Sequence, residues 1–156
     1  MMESYMDMSL NGFLSKISSA EPVPGGGSVS AYVALLGTAL LKKALAFGLK
    51  TDDVSKSEQI TQLLSLIDGV QKELILMVDE DAIAFLECLN APKGSDRFKK
   101  AQEAAERIYC LCQQVLKLHA KGLYLYRKSL KNDYEGAQRL IESACKISWE
   151  NAHYGI

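Results

Sequence analysis

Residues 55–89 read SKSEQITQLLSLIDGVQKELILMVDEDAIAFLECL, thirty-five positions without a proline. Steps of three and four residues from Ile60 collect Leu63, Ile67, Val70, Leu74, Met77, Asp81, Ala84 and Cys88. That recurrence is the apolar stripe of an amphipathic helix, and no strand alternation competes with it. The helix is predicted from Ser55 or Ser57 to about Leu89. Asp81 is the one charged residue on the stripe. A carboxylate turned toward a packed seam must be paired, protonated or facing a polar cavity, because burying it alone is very costly. Desolvation would raise its pKa toward the range useful for general acid–base chemistry. A structural buried ion pair or an interface carboxylate also accounts for the pattern on periodicity alone.

The neighbouring segments carry the same period. Asn90-Ala91-Pro92-Lys93-Gly94 breaks the chain. Ser95 or Asp96 then caps a helix predicted to reach about Ser129. Its stripe runs Phe98, Ala101, Ala105, Ile108, Cys112, Val115, His119, Gly122 and Tyr126, which turns His119 inward. The short connection makes these two helices an antiparallel hairpin. Upstream, Leu10, Phe13, Leu14 and Ile17 mark a short helix that ends at Glu21-Pro22-Val23-Pro24-Gly25-Gly26-Gly27. Ser28 is predicted to cap a second helix to about Leu49, uncharged through Leu41 and therefore buried on most sides. Ser30, Ala34 and Thr38 recur at every fourth residue of it, where a neighbouring helix can approach closely. Asn132 or Asp133 is predicted to cap a last helix through His153. The expectation is an all-α bundle of about five helices, one domain over residues 1–156.

Composition narrows the function classes. The chain has 156 residues, 48% hydrophobic and 24% charged, enough to bury a core. A net charge of −1 supplies no global field for nucleic acid or anionic membrane, so neither partner is expected. Glu3, Asp7 and Lys16 interrupt the first twenty residues, so no secretory signal is expected. The apolar part of the second helix begins only at Val29, too short a run to span a bilayer. Four cysteines fit a reducing compartment better than a disulfide framework, so a cytoplasmic location is expected. Charge is uneven: residues 52–106 hold twelve acids and six bases, whereas residues 107–132 hold six bases and no acid. The basic stretch reads as a solvated face or as a docking surface for a polyanion.

Two further constellations bear on chemistry. The Pro24-Gly25-Gly26-Gly27-Ser28 turn enters a helix directly, so its free N–H groups and the positive dipole end can receive an anion or a carbonyl. It fits neither the Walker loop nor the dinucleotide fingerprint. Cys110 and Cys112 face different directions on one helix, and with only His119 and His153 available no metal-ligand spacing exists.

In combination these pieces resemble the formiminotetrahydrofolate cyclodeaminase and methenyltetrahydrofolate cyclohydrolase family. They are Phe13-Leu14 before the Pro-Gly-Gly-Gly-Ser turn, the small-residue helix, Asp79-Glu80-Asp81-Ala82-x-Ala84-Phe85 and the Ala91-Pro92-Lys93 corner. The resemblance extends from about Leu10 to Asn151. It implies an all-helical subunit that forms a homodimer or larger homo-oligomer and acts on a tetrahydrofolate derivative, with no metal and no tightly bound cofactor. It assigns Asp81 to proton transfer with Asp79 as a second candidate, and Gly25, Gly26, Gly27, Ser28, Lys93 and Asn151 to substrate binding. The expected activity is cyclohydrolysis or cyclodeamination. The alternative is a non-catalytic folate-binding or helical interaction protein.

Overall fold

A computed structural model describes residues 4–154. Five α-helices follow in order: α1 (Leu10–Ile17), α2 (Gly26–Ala46), α3 (Val54–Cys88), α4 (Asp96–Lys121) and α5 (Lys131–Tyr154). Three single 3-10 turns, at Tyr5–Asp7, Phe47–Leu49 and Lys128–Leu130, punctuate the connections. The all-α expectation holds. Helices α2 to α5 form an up-down-up-down bundle in which α2 packs on α3 and α5, and α4 packs on the same two. Helix α1 is a short flap, with Phe13 between the rings of Tyr5 and Tyr32.

The long hairpin follows from the sequence pattern. Helix α3 has 35 residues and is about 52 Å long at ~1.5 Å per residue. It buries Ile60, Leu63, Ile67, Val70, Leu74 and Met77 as the stripe requires, then Val78 and Ala82 as the helix drifts against a strict heptad. Each fully buried side chain of this size contributes about 1.5–3 kcal/mol. In α2, Ser30, Ala34 and Thr38 are all buried, and Thr38 Oγ1 donates to the Ala34 carbonyl at 2.6 Å. A Cβ at Gly37 would lie 2.7 Å from Ile141 and 3.0 Å from the Ala137 carbonyl oxygen, so glycine sets the spacing between α2 and α5.

Four boundaries differ from the sequence reading. Helix α2 starts at Gly26 with Gly25 as its cap, and Ser28 lies inside the first turn. Helix α3 is capped by Asp53, whose Oδ1 accepts from the Lys56 N–H at 3.0 Å. Helix α4 stops at Lys121 rather than near Ser129. Gly122 is the cap, and a Cβ there would lie 2.9 Å from Tyr134 Oη and 3.0 Å from Leu45, so glycine suits the close approach at this helix end. Helix α5 begins at Lys131 directly after a 3-10 turn, and Asp133 pairs with Lys43 at 2.6 Å instead of capping.

By length and composition, Gly26–Leu49 meets the requirement for a bilayer span, longer than the run from Val29 suggested. In the structure this segment lies against α3 and α5, with Ala31, Ala34, Leu41, Ala44 and Leu45 fully buried.

The inward His119 has a structural explanation. Its Nε2 donates to the Tyr134 carbonyl at 3.0 Å, the Tyr134 hydroxyl donates to the His119 carbonyl, and the two rings stack at 4.0 Å. Burial lowers its pKa, so the neutral ring is favoured.

Candidate functional site

The antiparallel arrangement brings the start of α2, the end of α3, the start of α4 and the end of α5 to one pole of the bundle. A cleft of about 170 Å³ opens there. Its floor is Pro22, Val23 and the Gly25–Gly27 turn; Asp81 and Phe85 come from α3, Ala101 and Ala105 from α4, and Asn151 from α5. Asp81 is the one ionisable side chain on this lining. The walls are otherwise small or apolar, which suits a flat organic ligand.

Asp81 lies against the first turn of α2. Its Oδ2 accepts from the buried Ser28 Oγ at 3.2 Å, and the Ser28 backbone N–H also contributes. The carboxylate thereby sits at the start of α2, in the position where a helix N-terminus favours negative charge. Desolvation nevertheless outweighs these bonds, so its pKa is raised above the ordinary carboxylate value. Among the described residues, no basic side chain lines the cleft with it. The structural ion pair weighed against a functional Asp81 is absent among the described residues.

The glycine run has a physical reason that its sequence did not reveal. A Cβ at Gly27 would fall 2.0 Å from Asp81 Oδ1, and one at Gly26 would fall 3.2 Å from Asn151 Nδ2. At Gly27 only glycine permits Asp81 to keep its place on the helix start, and at Gly26 glycine lets Asn151 approach closely. Gly25 is freer, its nearest neighbour being the Pro22 carbonyl oxygen at 3.9 Å. Thus Gly25, Gly26, Gly27, Asp81 and Asn151 converge, with Ser28 buried behind them.

Asp79 and Lys93 do not join the lining. Two positions on a helix are about 200° apart, so Asp79 faces away from Asp81. Its Oδ2 accepts from Ser4 Oγ at 2.6 Å and its Oδ1 from the Tyr5 N–H at 2.8 Å, which anchors the N-terminal segment to α3. Lys93 is exposed in the α3–α4 corner. Conversely, Phe85, Ala101 and Ala105 line the cleft without having been singled out. Ala101 and Ala105 already stand on the inward stripe of α4, where two alanines in succession leave space.

No group of three His, Cys, Asp or Glu side chains converges among the described residues. Burial pushes the Cys112 thiol up to about 12, unsuited to nucleophilic work.

Removing the Ser28 hydroxyl deletes one bond to ionised Asp81, about 1 kcal/mol, and leaves the backbone N–H. Ser28→Ala should therefore shift the acid limb of any activity that needs ionised Asp81 upward by about half to one pH unit. A pH–rate profile checks this; an unmoved limb would show that Ser28 does not set the protonation of Asp81.

A sequence profile described as formiminotransferase-cyclodeaminase matches residues 9–153. Formimidoyltransferase-cyclodeaminase of Mus musculus is 34% identical over 117 residues, 74% of this chain and 21% of that protein. Methenyltetrahydrofolate cyclohydrolase of Methylorubrum extorquens is 32% identical over 97 residues, 59% of this chain and 46% of that one. The chain therefore spans about a fifth of the mouse relative and under half of the bacterial one. Among solved structures, formiminotetrahydrofolate cyclodeaminase of Thermotoga maritima superposes with a TM-score of 0.87, covering 94% of this chain and 77% of that chain at 20% identity. That likeness establishes the fold.

Proposed function

The chain belongs to the formiminotransferase-cyclodeaminase family, and from that premise we propose that it acts in the cytoplasm on a one-carbon adduct of tetrahydrofolate, with Asp81 as the acid–base group. The observation that carries the reading is a desolvated carboxylate facing a small, apolar-walled cleft with no cation on its lining. Such a site favours a flat ligand that brings its own positive charge to the carboxylate. The amidinium-like carbon of methenyl- or protonated formimino-tetrahydrofolate supplies that charge.

Both family reactions use one proton shuttle. In cyclohydrolysis, ionised Asp81 takes a proton from water as its oxygen bonds to the methenyl carbon. The proton then passes to the folate nitrogen whose bond to that carbon breaks, while the second proton of the water is released to solvent, leaving a formyl group. In cyclodeamination, a folate nitrogen bonds to the formimino carbon and loses its proton to Asp81. The proton moves to the departing amino group, and ammonia leaves as its C–N bond breaks. In this reading Asn151, which lines the cleft beside the glycine turn, hydrogen-bonds the folate.

Incubation with 5,10-methenyltetrahydrofolate, followed by loss of its absorbance, tests the first reaction; formiminotetrahydrofolate with ammonia detection tests the second. Protein-dependent turnover of either supports the reading. Binding of both without turnover would favour the non-catalytic alternative.

A homo-oligomer is part of the proposal. Leu76, Ile83 and Leu86 leave an apolar face of α3 exposed at 59%, 45% and 41%. Leu86 shares a groove with Tyr5 and Met8, and α1 adds exposed Leu10 and Leu14. Apolar surface of this kind marks an interface, here with a second copy as the family resemblance implies. Light scattering at micromolar concentration should give at least twice the subunit mass; a monomer would refute it.

A further inference from the structure

At the opposite pole, about 30 Å away along the 21 residues of α2, lies a second and larger cleft of about 960 Å³. We propose that it binds a nucleoside polyphosphate, with cations receiving the phosphates and aromatic side chains receiving the base.

Its wall is built by two connections, that between α2 and α3 and that between α4 and α5, and carries Phe47, Lys50, Lys56, Tyr124, Arg127 and Lys128. The connections are locked together. A Cβ at Gly48 would lie 2.2 Å from the Leu125 carbonyl oxygen, the Arg127 N–H donates to the Ala44 carbonyl at 3.3 Å, and Tyr126 stacks on Tyr134 at 4.1 Å. The backbone that displays the cations is thus preorganised before any ligand arrives.

The charge arrangement is the second observation. Lys42, Lys43, Arg107 and Lys131 each pair with a carboxylate. Among the described residues, Lys50, Lys56, Arg127 and Lys128 have no such pair. Lys50 Nζ and Arg127 Cζ stand 5.1 and 6.0 Å from the centroid of the same Phe47 ring, so two like charges gather around one side chain. The nearest acids in sequence, Asp52, Asp53 and Glu58, are not on the cleft wall, and Asp53 is occupied in capping α3. An anion carrying several charges would relieve the repulsion.

The aromatic component selects among anions. Tyr124 is 86% exposed and Phe47 39% exposed, both on the cleft wall. Aromatic faces beside phosphate-binding cations stack well on a nucleobase, whereas a bare polyphosphate would leave them unused. The cations converge on one concave pole of a chain whose net charge is −1, which suits a small ligand better than an extended nucleic acid.

The test is calorimetric titration of the full chain with ATP, tripolyphosphate and adenosine as probes. ATP should bind, with tripolyphosphate and adenosine each at least about tenfold weaker. In the double variant Lys56→Gln/Arg127→Gln the Kd for ATP should rise at least about tenfold, and Tyr124→Ser should weaken ATP but not tripolyphosphate. Lys50→Gln offers a second charge removal that leaves the locked turns untouched. Circular dichroism and folate turnover without nucleotide should be unchanged throughout. Absence of binding at millimolar ATP, equal affinity in the charge variants, or tripolyphosphate binding as tightly as ATP would overturn the assignment.

Discussion

Asp81→Asn should lower turnover of the folate substrate by about a hundredfold or more, the usual scale for loss of a general acid–base group. Asparagine keeps the volume and can still accept from the Ser28 hydroxyl, so the contact with the start of α2 remains and substrate binding should change far less. The stability effect has a defined sign. Burial raises the native pKa of Asp81 above its unfolded value, so between the two values the native state holds more protons than the unfolded chain. Stability is therefore lost as pH rises through that window and stays lower above it. Asp81→Asn removes this loss and should melt no lower than the parent at pH 8, with a flatter dependence on acid pH. Turnover behaves oppositely: the parent should lose activity as pH falls through the raised native pKa. Turnover and melting temperature measured on one preparation decide the case. Unimpaired turnover would remove Asp81 from the site, and a collapsed fold would make it a structural cap alone.

Gly27→Ala should abolish activity to a similar degree by a different route. The added Cβ would occupy a point 2.0 Å from Asp81 Oδ1, so the carboxylate must swing off the start of α2 and lose its bonds to Ser28. The helix itself gains from the change, since alanine is favoured over glycine within a helix by about 0.5–1 kcal/mol. Turnover should therefore fall by about a hundredfold, the scale of losing a positioned acid–base group, while helicity and assembly persist. Gly25→Ala is the control. Its Cβ meets nothing closer than 3.9 Å, and its φ of −112° is open to any residue. A fully active Gly27→Ala would mean that the contact between the glycine turn and Asp81 is dispensable.

The two substitutions separate the chemistry of the site from its construction. Asp81→Asn leaves the geometry and removes the titrating proton. Gly27→Ala leaves the proton and removes the geometry. Equal loss in both would show that the proton must be held at the start of α2, not merely present in the cleft.

The sequence by itself determined the helices, their order and the inward residues. Apolar side chains at intervals of three and four must share a face, and one proline-glycine corner suffices to fold α3 back on α4. It also marked Asp81, because a lone charge on an apolar stripe is visible without knowing its neighbours. Only the tertiary structure decided what the marked residues do. The glycine turn read as a ligand cradle and Ser28 as a cap, but residues 53 positions away along the chain meet there, and Asp81 occupies the space the glycines leave. Asp79 read as an alternative acid until the packed N-terminal segment claimed both of its oxygens. His119 pointed inward on its stripe, yet only the reciprocal bonds with Tyr134 show it to be structural. Helix α4 continued through Gly122 in periodicity and ended there in space, where Leu45 and Tyr134 pack against the glycine. Period fixes which face of a helix is buried; what that face meets depends on contacts between helices distant in sequence.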